Sequence, residues 1–259
     1  MNIENIFDKW SKVYDIFYST APKNDIFFYI DMCKKFGGPI LELGAGTGRI
    51  LVPISNAGYS ITGLDISNGM LSKIKSKIKT NKNSYQKIEL LKADMKSFKL
   101  DKRFELILIP ARTLLLETNY EKQVMVLKNA AAHLTNSGRI IFDIYYPDKE
   151  MINCDPDEEF LLGVSDAQED GGRYILTGKN RFDTVNQLNF SSQYIEKVNE
   201  HGESLNKAML PVETRYLYFG QVVEMCKMAN LKIDYAYGNF NYDPITETSD
   251  DMVFVCSKT

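Results

Sequence analysis

Residues 39–65 read PILELGAGTGRILVPISNAGYSITGLD, and this stretch decides the fold. A short apolar run, ILEL, leads into G-x-G-x-G at Gly44, Gly46 and Gly48. A helical pattern follows as far as Gly58, and a second apolar run ends on Asp65. Strand, glycine turn, helix and strand in that order make one unit of a parallel sheet. Glycine at the turn lets the backbone bend tightly and approach a ligand with no Cβ in the way. The helix that begins there presents unpaired N–H groups. Asp65 lies 21 positions after Gly44, at the end of the next strand. An acid at that place accepts hydrogen bonds from ribose hydroxyls at the switch point of a doubly wound sheet.

The same alternation continues outward from this unit. Upstream, Ile3, Ile6, Phe7, Trp10, Tyr14, Phe17 and Tyr18 recur at helical spacing and predict one amphipathic helix over 3–19. A second helix follows Pro22 and stops at Gly37-Gly38. Downstream, Ser67 is the expected N-cap of the helix SNGMLSKIKSKIK. KIELLKAD, FELILIP and GRIIFDIYY read as further strands, with the helix YEKQVMVLKNAAAHL between the last two. The implied class is α/β, with helices on both faces of a parallel sheet. After Pro147 the character changes. CDPDEEFLLGVSDAQEDGG holds seven acids and no base, and three strand-like stretches joined by turns follow it. They predict an antiparallel meander over about 158–218, inserted into the α/β domain. Helix 219–230 then returns the chain to the sheet, and LKIDYAYGNF and DDMVFVCSK close it.

Composition narrows the partners. The chain has 259 residues, 44% of them hydrophobic, and a formal net charge of -3. No global footprint for a nucleic-acid backbone is present. The lysines of 72–87 form a local cluster that reads as a solvated helix face. Cys33, Cys154, Cys226 and Cys256 are scattered and show neither a disulfide framework nor a zinc pattern. His133 and His201 stand too far apart in the chain to suggest a metal centre. No metal is expected. The N-terminus lacks a signal-type apolar run, and no stretch approaches the ~20 apolar residues of a membrane helix, so a cytoplasmic location and no membrane partner are expected.

A glycine motif alone leaves the ligand open. The usual dinucleotide fingerprint is G-x-G-x-x-G, whereas here the third glycine comes one residue early. Glu42 precedes the loop, where a pyrophosphate would meet like charge, so a cationic, phosphate-free nucleoside suits the site better. ELGAGTGR, with GLD at the next strand end and KAD at the third, resembles the class I S-adenosylmethionine-dependent methyltransferases, and the resemblance covers nearly the whole chain. It implies a Rossmann-like, mostly parallel sheet of seven strands whose last strand runs antiparallel. It implies a cofactor domain of 1–150 plus 219–259 and an inserted β lid of 151–218. It also implies S-adenosyl-L-methionine as cofactor and S-adenosyl-L-homocysteine as product.

Carried over position by position, the family pattern assigns Glu42, Gly44, Ala45 and Gly46 to the methionine and ribose part. Asp65 would bind the ribose diol, Ile66 and Met70 would pack near adenine, and Asp94 would receive the adenine amino group with Met95 beside it. Ile109 would back the methionine moiety. Plain alternatives stay open: Ile66, Met70 and Met95 as core, Asp94 as the cap of a short turn. Arg49 reaches a carboxylate or pairs on the helix surface.

On the acceptor side the resemblance points to a small-molecule or short-peptide N-methyltransferase with a β lid. Methyl transfer mainly needs a nucleophile aligned and water excluded. Tyr14 and Tyr18 of the first helix, Arg112 with Thr113 after the fourth strand, and Tyr146 at the lid entrance are the candidate positioning residues. Tyr145, Arg173, Arg215 and Tyr237 are further candidates around the lid. The acidic run from Asp155 to Asp170 is either a solvated loop or a lure for a cationic acceptor. O-methylation is the alternative within the class. An NAD(P)-dependent oxidoreductase and a non-catalytic S-adenosylmethionine-binding regulator are the alternatives outside it. A nucleic-acid substrate is disfavoured because the fourth strand ends in IPAR, not in an N/D-P-P-Y/F motif. Either a monomer or a homodimer fits.

Overall fold

The computed structural model describes residues 3–18, 23–80 and 87–259. Ser19, Pro22 and Lys82, which figure in the expectations above, lie outside them. The chain runs α1 (Ile3–Trp10), α2 (Tyr14–Phe17), α3 (Asn24–Phe36), β1 (Ile40–Leu43), α4 (Leu51–Asn56), β2 (Ile61–Asp65), α5 (Asn68–Thr80), β3 (Ile88–Lys92) and β4 (Phe104–Ile109). A 3-10 turn at Thr113–Leu116 leads to α6 (Tyr120–Ala132), β5 (Leu134–Tyr145) and α7 (Lys149–Ile152). Then come β6 (Phe160–Val164), β7 (Arg173–Asp183), β8 (Leu188–Val198), β9 (Ser204–Arg215), α8 (Phe219–Met228), β10 (Leu231–Tyr237) and β11 (Asp251–Lys258).

Seven strands form one sheet in the order β10-β11-β5-β4-β1-β2-β3, with β11 antiparallel to both of its neighbours. β1 and β2 are buried at every position, as expected of strands covered on both faces. One core cluster holds Leu127, Val222 and Met225 from α6 and α8; the other holds Phe28, Met32, Ile54 and Leu71 from α3, α4 and α5. The order reverses beside β1, where β4 lies on one side and β2 on the other. That is the switch point at which open α/β sheets bind ligands.

Local chemistry explains three departures from the expected elements. The single N-terminal helix is broken at 11–13, where the Ser11 hydroxyl donates to the Asp8 carbonyl at 2.7 Å. The helix after the glycine loop starts only at Leu51, because Gly48 holds φ +86. The inserted sheet has four strands, β6-β7-β8-β9, not three. The added one, FLLGV, lies inside the acid-rich stretch, whose charge masks a five-residue apolar run.

The N-terminal segment is tied to the sheet domain by its acids. Glu4 pairs with Lys92 at 2.6 Å. Asp8 accepts from the Ser67 hydroxyl at 2.5 Å and from Gly69 N at 2.8 Å, so it caps the start of α5. These bonds hold the Asp8 carboxyl below its ordinary range, the Ser67 bond most of all. Ser67 also caps α5 directly, accepting from Met70 N at 3.0 Å. Asp15 accepts from Thr47 Oγ1 at 2.6 Å and from Lys77 Nζ at 2.9 Å. Trp10, only 3% exposed, packs with Met70 of α5 and with Leu176, Ile195 and Leu210 of the inserted sheet. The N-terminal helices therefore join the two sheets.

Candidate active site

A cavity of about 940 Å³ lies between the sheet domain, its floor, and the inserted sheet, its ceiling. Its size suits a nucleoside together with a small second molecule. Gly44 and Gly46, at φ +74 and +55, form part of the floor. A Cβ at Gly44 would come within 2.4 Å of Thr113 Cγ2, so the loops that follow β1 and β4 interlock there. A Cβ at Gly46 would meet nothing nearer than the Tyr14 ring at 3.9 Å, so glycine keeps open space in the cavity itself.

Asp65 sits at the end of β2 with one oxygen accepting from Gly46 N and the other from Ser67 N, each at 2.8 Å. It is 7% exposed, and burial raises its carboxyl despite those donors. Each oxygen keeps a lone pair for a ligand hydroxyl. Glu42, 2% exposed, lies behind the loop and does not line the cavity. Its Oε2 has no hydrogen-bond partner, and burial pushes its carboxyl well above the usual range.

The other expected cofactor residues divide. Ile66, Met70, Asp94, Met95 and Arg49 line the cavity; Ala45 and Ile109 lie behind the lining, buried in the core clusters. Asp94 serves a turn as well, accepting from Lys96 N at 2.8 Å, and its other oxygen pairs with Lys96 Nζ at 3.0 Å. Arg49 is held by Asp25 through both terminal nitrogens, at 3.1 and 2.5 Å, and stands 5.3 Å from the Tyr18 ring.

Of the positioning candidates, Tyr14, Tyr18, Arg112 and Tyr146 all line the cavity. The rings of Tyr14 and Tyr18 lie 4.5 Å apart. Burial raises the Tyr14 hydroxyl well above its ordinary value, so it stays neutral. Arg112 pairs with Asp251 at 2.8 Å and stands over the Tyr145 ring at 5.7 Å. Tyr145 also lines the cavity, whereas Arg173, Arg215 and Tyr237 do not. None of the seven acids between Asp155 and Asp170 lines it. Glu159 bonds Thr177 at 2.5 Å, and Asp170 pairs with Lys197 on the outer surface. Acids that line the cavity near Arg112 and Tyr146 are Asp148, just before the inserted segment, and Asp250 and Asp251, at the start of β11.

Sequence reasoning missed Asp143. It is 2% exposed, at the end of β5. Its oxygens accept from Ala111 N and Arg112 N at 2.9 Å each, and from the Tyr29 hydroxyl. Ala111 and Arg112 have φ of 57 and 62, so this carboxylate pins two consecutive left-handed residues and aims Arg112. Burial raises Asp143 to about 6. The available sequence signal was one acid inside an apolar strand, FDIYY, where charge needs a partner. Among the described residues, no three His, Cys, Asp or Glu side chains converge as metal ligands. No helix among them is long and apolar enough to cross a membrane.

Comparison with known proteins agrees with this floor. The methyltransferase domain family matches residues 40–138, which run from β1 to the early part of β5. YqeM of Bacillus subtilis (strain 168) is 24% identical, over 98% of each chain. The cypemycin N-terminal methyltransferase of a Streptomyces species is 21% identical over the full length of both. The structure of the CcbJ methyltransferase from Streptomyces caelestis superimposes with a TM-score of 0.82 over all of both chains, at 17% identity. The switch-point loop, the strand-end acids and the family match lead to one conclusion: the chain carries an S-adenosylmethionine-dependent methyltransferase domain set in a class I fold.

Proposed function

We propose that this chain methylates an amine nitrogen of a small molecule or a short peptide. The observation that carries the proposal is the single cavity in which side chains of the inserted sheet and of the sheet domain, Gly44 and Arg112 among them, line one shared space. Such a space suits a compact acceptor beside the cofactor. The cypemycin enzyme, similar along the whole chain, is named for methylation of a terminus. That name supports nitrogen over oxygen.

S-adenosylmethionine, when bound, supplies a methyl group on a positively charged sulfur. The chain's own residues hold and align. The Asp65 carboxylate would hold the ribose side, above the open glycine bend, whose Gly44, Ala45 and Gly46 N–H groups are spent on Leu64 and Asp65. Ile66, Met70, Asp94 and Met95 would hold the base, with Glu42, Ala45 and Ile109 forming the buried backing. Arg49 and the Tyr14–Tyr18 pair would close over the methionine end, and Arg112 and Tyr146 would position the acceptor. We assign the cofactor work to 1–150 plus 219–259 and acceptor recognition to 151–218. The scattered thiols suit a reducing cytoplasm, and the enzyme would work as a monomer or homodimer.

The test is incubation with isotopically methyl-labelled S-adenosylmethionine and an extract of the producing cell, read by tandem mass spectrometry. Label on a nitrogen of a small compound is expected. Label on oxygen alone, or in nucleic acid alone, would overturn the reading.

A further inference from the structure

Two loops meet along the cavity wall: Asp94, Met95 and Lys96 follow β3, and Leu116 and Glu117 come from the segment between β4 and α6. A single ammonium joins them. Lys96 Nζ lies 3.0 Å from Asp94 Oδ2 and 3.0 Å from Glu117 Oε2. The Lys96 backbone N–H donates to the other Asp94 oxygen at 2.8 Å. One residue therefore orients both oxygens of Asp94, and each oxygen keeps a lone pair. Glu117 is held in turn, its Oε1 accepting from Asn119 N at 3.3 Å. The Glu117 side chain is 12% exposed and that of Lys96 25%, so salt screens this pair less than one on the open surface.

The turn itself does not need the ammonium for its shape. Ser97 N and Phe98 N donate to the Asp94 carbonyl at 3.0 Å each. Asn129 Nδ2 of α6 donates to the Met95 and Phe98 carbonyls at 3.3 and 3.2 Å. What the Lys96 side chain fixes is charge and direction. Two carboxylates and one ammonium leave one negative charge on this wall. Burial works against the ammonium, but its bonds to Glu117 and Asp94 outweigh that and raise Lys96 above its ordinary value, so it stays charged. An oriented carboxylate accepts from a base edge that donates and repels one that accepts. Two of the three ammonium N–H groups are spent on Asp94 and Glu117, so Glu117 occupies a donor that a keto oxygen could otherwise take.

We propose that Lys96 and Glu117 are positioning residues that make the cofactor site selective for an amino-bearing base: Lys96 holds the Asp94 carboxylate toward the base, and Glu117 keeps the ammonium from serving a keto oxygen instead. This selectivity rests on the assignment of Asp94 to the adenine amino group made above. The two residues act in opposite directions. Without the ammonium, Asp94 loses its side-chain support and the amino-bearing base binds less well. Without the Glu117 charge, an ammonium N–H is released and the keto-bearing base binds better.

The test is calorimetry of wild type, Asp94→Asn, Lys96→Met, Lys96→Arg and Glu117→Gln with two probes. One is S-adenosylhomocysteine; the other is S-inosylhomocysteine, which carries a keto oxygen in place of the amino group. Wild type should prefer the first by about tenfold or more. Lys96→Met should lose about tenfold for S-adenosylhomocysteine and less than about threefold for S-inosylhomocysteine, whose retained binding reports an intact fold. Glu117→Gln should gain about threefold for S-inosylhomocysteine, and Lys96→Arg should keep the wild-type preference within about threefold. A purely structural role would instead weaken both probes together. Asp94→Asn should erase the preference. If Asp94→Asn or wild type shows otherwise, the assignment of Asp94 falls and the selectivity with it. If Asp94→Asn erases the preference while Lys96→Met and Glu117→Gln keep it within about twofold, the proposal alone is overturned and Asp94 stays at the base. A loss in Lys96→Arg as large as in Lys96→Met also overturns it, since the charge would then not be the agent.

Discussion

On the floor of the cavity, charge is fixed in place: Asp65 by two backbone donors, Asp143 by three donors, Arg112 by Asp251. On the ceiling, the side chains of β6 to β9 that line the cavity are amides and hydroxyls mixed with the apolar Phe160, Leu162 and Val212, and none is charged. The difference teaches a division of labour. A cofactor with the same charged sulfur and ribose in every turnover rewards preorganised charge. We propose that the acceptor is met by the uncharged side chains of the ceiling. The N-terminal helices belong to both regions, since Trp10 packs against Met70 below and Ile195 above.

Breaking the floor should have the largest effect. Gly44→Ala forces an L residue at φ +74 and a Cβ to 2.4 Å from Thr113. Together, left-handed strain and overpacking cost about 3–4 kcal/mol, so affinity for S-adenosylhomocysteine should fall several hundredfold by calorimetry. An affinity within threefold of wild type would show that this bend does not define the site.

Asp143 tests whether buried charge shapes the floor. Its folded value of about 6 lies above the ordinary 3.8, so the fold favours its protonated form. Its contribution to stability is present below the ordinary value and is lost as pH rises from about 4 to 6, by roughly 2–3 kcal/mol. Asn at 143 cannot titrate. Denaturant midpoints across pH 4–7 should therefore show wild type losing stability relative to Asp143→Asn as pH rises through that window. Parallel curves would contradict the assignment.

Asp65→Ala sharpens the cofactor side. It removes the acceptor of Gly46 N and Ser67 N and the expected ribose contact. A hydrogen bond to a charged group is worth about 1.5–3 kcal/mol, so affinity for S-adenosylhomocysteine should drop roughly tenfold or more. The smallest effect is expected on the outside of the lid. Asp155, Asp157, Glu158 and Asp166 face away from the cavity lining, and replacing all four with their amides should leave kcat/KM and its salt dependence unchanged within twofold. A clear loss at low salt would restore steering by that acidic run.

The floor was largely legible before the structure because its signals are local. Three glycines at fixed spacing, an acid at each of two strand ends and alternating strand and helix all act within about 60 residues of one another. Glu42, Ala45 and Ile109 were placed one layer too near the ligand space, since motif position fixes the strand end but not which side chain projects beyond it. Asp143 was not legible, because its meaning depends on a backbone turn at 111–112, over thirty residues earlier. The ceiling was read least well. In β8, Phe190 and Tyr194 alternate with Asn189, Ser191 and Gln193, and the usual reading turns aromatic residues inward. The pairing with β7 and β9 turns the polar set to the cavity instead. Register across three strands is a nonlocal property, and no single stretch of sequence contains it.

The most direct measurement of the floor is a calorimetric competition on wild-type protein between S-adenosylhomocysteine and NADH. One tight site for S-adenosylhomocysteine and no heat with NADH is expected from the Gly44–Gly48 bend and the Asp65 carboxylate. Saturable NADH binding with none for S-adenosylhomocysteine would contradict it.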